Sequence, residues 1–276
     1  MVVVASISRF GWLVYDTVSG FGNFVTFVWA VSVRFAAHPI RCMKWSLLGP
    51  QLFSVGVASI PVVAITGAFI GMILALEGFE QFASLGQESR LGSVINISVI
   101  KQIGPVLAAV MVAGRVGGAL AAELGTMAVT EQLDAMRAMD ADPLRILVAP
   151  RVIACVVMTP MLTIYSDLLG AWGAWFITVK VFGVASVDYW FFTAQAVDWW
   201  DPTSGLLKSI AFGGAIGLIS CYKGFSCSAG AAGVGRAATD AFVASFLAII
   251  LLNLVLAEFF GSLYTLLAND STSFIQ

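Results

Sequence analysis

The chain has 276 residues, of which 59% are apolar and only 11% charged, and its formal net charge is −2. A soluble domain of this length needs more charge to stay in solution, and a near-neutral chain without a basic tract does not fit a nucleic-acid partner. The composition is that of an all-α integral membrane protein.

Residues 1–50 form a first region. Phe10, Trp12, Leu13, Phe21, Phe24, Phe27 and Val28 recur there among few charges, and Gly11, Gly20 and Gly22 interrupt the pattern. The pattern favours a helix lying in the membrane interface over a sixth span, with a basic end at Arg34, His38, Arg41 and Lys44 and a break at Pro39. The first residues lack a basic stretch before a short apolar core, so no cleaved signal peptide is expected.

Five apolar segments follow, each close to or above the ~20 residues that cross a bilayer core. They are predicted at 55–76, 91–122, 152–179, 203–222 and 241–267, within one membrane domain at 51–270. Lys101 and Arg115 interrupt the second, Asp167 the third, Lys208 the fourth and Glu258 the fifth. Small residues recur at helical spacing at Gly67/Gly71, Gly114/Gly118 with Ala122, and Gly213/Gly217, which favours close packing within the chain over a subunit interface. No inverted repeat is visible. The four cysteines show no metal-ligand spacing, so neither a disulfide framework nor a metal site is expected.

The loops give an orientation. Nine Lys and Arg lie in 1–50, 123–151 and 223–240, against Arg90 alone in the loops of the other side. Positive loops stay in the cytoplasm. This puts the N-terminus and the 123–151 loop inside, and the C-terminus and the 181–202 loop outside. Asp188, Trp190, Asp198, Trp199, Trp200 and Asp201 enrich that external loop.

The 123–151 loop carries a short amphipathic pattern over about 126–140. Thr126 is a candidate cap. Leu133, Met136 and Met139 form an apolar ridge, Glu131, Gln132, Asp134 and Arg137 face elsewhere, and Asp142-Pro143 ends the helix. It is too short and too charged to span. Its acidic balance disfavours anionic headgroups, so a groove in a cytosolic partner fits better than lipid.

Within this context the segment GPVLAAVMVAGRVGGALAAELGTMAVTEQLDAMRAMDADPLRILVAPR at 104–151, and YKGFSCSAGAAGVGRAATDAFV at 222–243, resemble the MlaE/YrbE permeases. These are membrane subunits of ABC transporters that move lipids with MCE-domain proteins. The resemblance covers nearly the whole chain. It implies an N-terminal interfacial helix, five spans, a dimer with a second permease copy or a paralogue, and a bacterial or plastid-type inner membrane. It also implies that Glu123, Thr130, Glu131, Leu133, Asp134, Met136 and Arg137 meet a cytosolic ABC ATPase. ATP is then bound by that partner, and this chain needs no cofactor and has no catalytic residue of its own. The family's lipid pocket maps onto Leu76, Glu77, Phe79, Lys101 and Gln102. Related chains often carry Arg-Glu where this one has Lys101-Gln102, so a carboxylate mechanism at that point is not expected here.

Physical chemistry gives Lys101 a meaning of its own. A cation within a span costs roughly 3 kcal/mol or more. It persists beside a cavity, a carboxylate or an anionic ligand such as a phospholipid phosphate, or where it snorkels to water. Arg115 is expected to pair with Glu123 or Asp167, and Glu258 to cap or pair. Gly233-Val-Gly235-Arg-Ala-Ala238 is read as a turn rather than a dinucleotide site, since no strand precedes it. No G-x-x-x-x-G-K-[ST] occurs, and the single His38 is read as a surface residue. The rivals are a lipid-modifying membrane enzyme, which needs a cluster of His, Asp or Ser at one face, and a scaffold without energy input.

The charge count makes a prediction. A thiol label that cannot cross membranes should reach a cysteine placed at Trp199 in intact cells; labelling only after lysis contradicts the orientation.

Overall fold

The computed structural model describes residues 19–20, 22–35 and 45–273, with side chains described to residue 266. Every regular element among them is helical. Five helical units are long and apolar enough to cross a membrane: Trp45–Ser84, Glu88–Val129, Leu144–Val181, Trp200–Phe225 and Ala231–Leu266. They are called spans one to five below. All five are longer than the apolar runs that announced them, because the helices continue into polar sequence at both ends.

Several boundaries move for identifiable reasons. Span one breaks at a 3-10 turn, Val57–Ser59, just before Pro61, which has no N–H to donate back to Val57. Span two runs on through Thr126 to Val129, so Thr126 is not a cap: its hydroxyl donates to the Ala122 carbonyl within the helix. Leu124 and Gly125 are fully covered at that point, against span four and Cys227, and this packing outweighs the capping preference of Thr126. The loop helix is accordingly shorter than 126–140 and spans Gln132–Ala138. Span five starts at Ala231, which places Gly233 to Ala238 inside a helix; the turn before it uses Gly230, at φ +88°.

Spans three and four form the centre, while spans one and five keep long apolar faces outward. Span three packs on both span one and span four. The small-residue faces serve this packing. A Cβ on Gly71 would overlap the Gly170 carbonyl, one on Gly67 would press on Ser166, and one on Gly213 would strike the Cys155 carbonyl. The main core lies between Val63, Val112, Val116, Cys155, Phe212 and Ile216.

The N-terminal helix, 22–35, lies across one end of the bundle. Val31 is buried there with Leu124, Val148 and Cys221. Phe27 packs against Tyr222 and Phe225. His38, Arg41 and Lys44, the expected basic end, fall outside the described residues. At the opposite end, a helix at Ser186–Ala196 covers span two. Tyr189 fills the space left by Gly92, and Asn96 Nδ2 donates to the Tyr189 hydroxyl (3.0 Å) and to Thr193 Oγ1 (3.2 Å). Burial pushes the Tyr189 hydroxyl up to about 12, with the Asn96 bond opposing.

Gly71→Val should separate spans one and three. A branched side chain against backbone cannot be relieved by a rotamer change, and the expected cost is about 3 kcal/mol. Thermal unfolding in detergent measures it; Gly261→Val, where a Cβ meets open space, is the control.

Candidate functional site

Two places combine polar chemistry with an unusual backbone. The first lies inside the bundle near the end that carries the 186–196 helix. Span two is interrupted at Val99–Ile103, where the helix widens to π geometry. The Gly104 N–H donates to the Val99 carbonyl, five residues back, and Pro105 has no N–H to donate. The carbonyl of Lys101, four residues before Pro105, therefore has no donor at the i+4 position. Lys208 on span four supplies one. Its Nζ donates to the Lys101 carbonyl (3.1 Å) and to Gln102 Oε1 (2.6 Å). Gly205, one turn earlier, lets span four come this close, since a Cβ there would press on the Ile100 carbonyl.

Lys101 points the other way. Its ammonium pairs with Asp201 Oδ1 at 3.1 Å, with the Lys side chain 46% exposed and the Asp side chain 10%. The Lys208 residue is 2% exposed. The bonded groups are thus two ammonium groups and one carboxylate. Asp167 packs on Gly104 beside it, and its Oδ1 is buried without a hydrogen-bond partner.

Lys101 and Gln102, neighbours in sequence, both meet Lys208, and Lys101 has a carboxylate partner. The remaining pocket residues stand apart. Leu76 continues an exposed apolar stripe through Ile65, Phe69 and Ile73, and Glu77 is exposed beside it. Phe79 instead stacks flat on Phe182 (3.7 Å between ring centres). Sequence reading missed Lys208 and Asp201. The signal was present: a lysine one turn after Gly205 in an apolar helix, and a proline in span two that must free a carbonyl.

The second place is the loop between spans two and three. The 132–138 helix is entered through Glu131, held at φ +59°, and left through Asp140 at +57°. Thr130, Glu131, Asp134 and Arg137 are exposed, and Asp134 pairs with Arg137 at 2.8 Å. The expected apolar ridge is divided. Leu133 is 5% exposed and turns inward, Met136 is half-buried, and Met139 is 72% exposed. A seven-residue helix needs one anchor in the bundle to hold its angle, and Leu133 supplies it.

The loop is tied to the spans by charge. Arg151, nearly buried, donates to Glu123 Oε2 at 3.0 Å and joins the end of span two to the start of span three. Glu123 is therefore not the partner of Arg115. Arg115 reaches Ser59 Oγ (2.9 Å) and the Ser54 carbonyl (3.3 Å), and fastens span two to the break in span one. It too sits in a π segment, Ala113–Gly117. Glu258 is exposed on span five and makes no hydrogen bond or ion pair among the described residues.

The sequence that folds in this way matches a known family. The family model described as Permease MlaE matches residues 48–259. The chain belongs to the MlaE permease family. A probable ABC transporter permease protein of Rickettsia prowazekii (strain Madrid E) is 41% identical over 215 residues, covering 78% of this chain and 83% of the relative. The intermembrane phospholipid transport system permease protein MlaE of Haemophilus influenzae is 35% identical over 218 residues, covering 78% and 84%. The chloroplastic protein TRIGALACTOSYLDIACYLGLYCEROL 1 of Arabidopsis thaliana is 36% identical over 218 residues, covering 79% of this chain and 62% of the relative. The family match contains both the Lys101 cluster and the loop helix.

Glu123→Ala should leave the buried guanidinium of Arg151 without its carboxylate. The expected loss is about 2 kcal/mol, less than for a fully buried pair because Glu123 is half exposed. Glu131→Ala, at an exposed position, should stay within about 0.5 kcal/mol. Unfolding in detergent compares the two.

Proposed function

We propose that this chain is the permease subunit of an ABC transporter that moves phospholipid across or out of a bacterial or plastid-type inner membrane. A separate cytosolic ATPase drives it, a second permease copy or a paralogue completes it, and an MCE-domain protein exchanges lipid with it outside. The N-terminus and the 132–138 helix face the cytoplasm, and the 186–196 helix faces outward. The chain supplies no chemistry of its own. Its residues hold a lipid and respond to a motor.

One observation carries this reading: a buried ammonium, Lys208, which among the described residues is bonded only to the neutral oxygens of Lys101 and Gln102. Burying a cation without a carboxylate is costly and favours an anionic ligand. A phosphodiester headgroup meets that need, and Lys101 beside it is exposed enough to receive one. Leu76 and the apolar stripe of span one suit acyl chains. The neutral Gln102 adds no countercharge.

The loop helix suits the motor. It is short, exposed and acidic on one side, and its ends are fixed to spans two and three. ATP binding would close two nucleotide domains and displace the helix. The differential affinity of ATP for the two states would supply the work.

The test is purification of the complex in detergent from cells that also express the ATPase. Glu131→Lys with Asp134→Lys should reduce co-purified ATPase about tenfold, the equivalent of ~1.4 kcal/mol, without lowering the amount of permease in the membrane. Lys208→Met should leave the ATPase bound and lower the phospholipid retained per complex, read by mass spectrometry. Undiminished ATPase in the first case, or undiminished phospholipid in the second, overturns the corresponding assignment. Covalent turnover of lipid by the chain alone would favour an enzyme instead.

A further inference from the structure

We propose that the N-terminal helix is a second arm of the coupling device, latched to the loop between spans two and three by the Arg34–Asp142 ion pair. The proposal rests on the permease reading above and extends it to residues outside the motor-facing helix. Asp142 does two jobs at once. One carboxylate oxygen, Oδ1, accepts the Leu144 N–H (3.1 Å) and starts span three. The other, Oδ2, accepts Arg34 Nε. Arg34 is held in place by a further bond from Nη1 to the Ala30 carbonyl (3.1 Å). A cleft of about 300 Å³ opens between the two elements, lined by Arg34, Arg137, Asp140 and Asp142. Arg137 at its rim belongs to the loop helix itself.

The same helix grips span four. Phe24 and Phe27 lie against Tyr222, at 5.4 and 5.6 Å between ring centres, and Phe27 also meets Phe225. The Tyr222 hydroxyl donates to the Gly20 carbonyl (3.3 Å). Span four is a single uninterrupted helix from Trp200 to Phe225, and Lys208 and Asp201 stand near its other end. A continuous set of contacts therefore runs from the loop helix through Asp142 and Arg34 to the N-terminal helix, then through Tyr222 to span four and the charge cluster. Displacement of the loop has a route to Lys208 that does not pass along span two, whose π segments make it the softer path.

The latch pair is half exposed, at 41% and 37% of its side chains, so it contributes little to stability and its loss leaves a folded chain. Its role is positional, and the test separates position from stability. The complex with its ATPase is reconstituted in liposomes, and lipid moved per ATP hydrolysed is measured. Asp142→Asn keeps an oxygen for the Leu144 N–H but no charge for Arg34. With Arg34→Gln it should retain the ATPase at full stoichiometry yet move about fivefold less lipid per ATP, the lower end of a typical coupling factor. Arg34→Lys should stay near the unmodified ratio. Arg34→Cys with Asp142→Cys, in a chain lacking Cys42 and Cys227, should lose the ratio and regain it when a short cleavable bis-thiosulfonate joins the two thiols. An unchanged ratio in Asp142→Asn and Arg34→Gln, or arrest of transport by the crosslink, overturns the latch. An unmodified complex that binds no ATPase or moves no lipid overturns the permease reading itself.

Discussion

One constraint organises the interior of this protein: a backbone carbonyl in an apolar solvent must find a donor. Pro105 removes the donor that would serve Lys101, and the π turn before it shifts Gly104 onto Val99. In water the exposed carbonyl would cost little. Inside a bilayer it must be filled from elsewhere, and the donor chosen is an ammonium from span four. The choice has consequences. It needs Gly205 to bring the helices together, it brings a charge where a hydroxyl would have sufficed, and it places that charge beside Lys101 and Asp201.

The same principle explains why charge appears where it does throughout the chain. Arg115 satisfies Ser54 and Ser59 at the point where Pro61 breaks span one. Asp142 satisfies the first N–H groups of span three after Pro143. In each case a charged side chain supplies a hydrogen bond close to a proline that interrupts the helical ladder. Helices joined in this way do not slide freely, because sliding would leave a polar group bare in lipid. They move as pairs, and the natural joints are the 3-10 and π segments, where hydrogen bonds can be exchanged rather than broken.

Much of this was legible in the sequence. The five spans follow from apolar run length, and the small-residue faces predicted the close contacts at Gly67, Gly71 and Gly213. The loop helix was also legible, but its limits were not. Thr126 has the chemistry of a cap, yet Leu124 packs against span four and Gly125 against Cys227 and Val234, and this packing holds the helix through it. Tertiary packing decided a boundary that local preference alone assigned elsewhere. The partners of charged residues were the least legible feature. Arg115 and Glu123 lie eight residues apart and looked like a pair, but the first, in a π segment of span two, reaches Ser59, while Arg151 claims the second. Lys208 reads as a residue near a helix end until Pro105, a hundred residues earlier, is seen to need it.

The neutral side chain of Gln102 has a physical sense. A carboxylate there would neutralise Lys208 and make a closed, self-sufficient pair with no call for a ligand. The amide oxygen satisfies one donor of the ammonium at 2.6 Å but returns no charge. Among the described residues, the one carboxylate bonded to the cluster, Asp201, pairs with Lys101. On the proposed reading, a site of this kind would prefer an anion. A transporter needs that preference to be limited, because a site that held its anion with a full complement of countercharges would bind well and release poorly. Small displacements of span four against the π turn of span two alter how far Lys208 is occupied by the protein's own oxygens. On the proposed reading, that exchange would give a mechanical input a direct effect on affinity for a negatively charged headgroup.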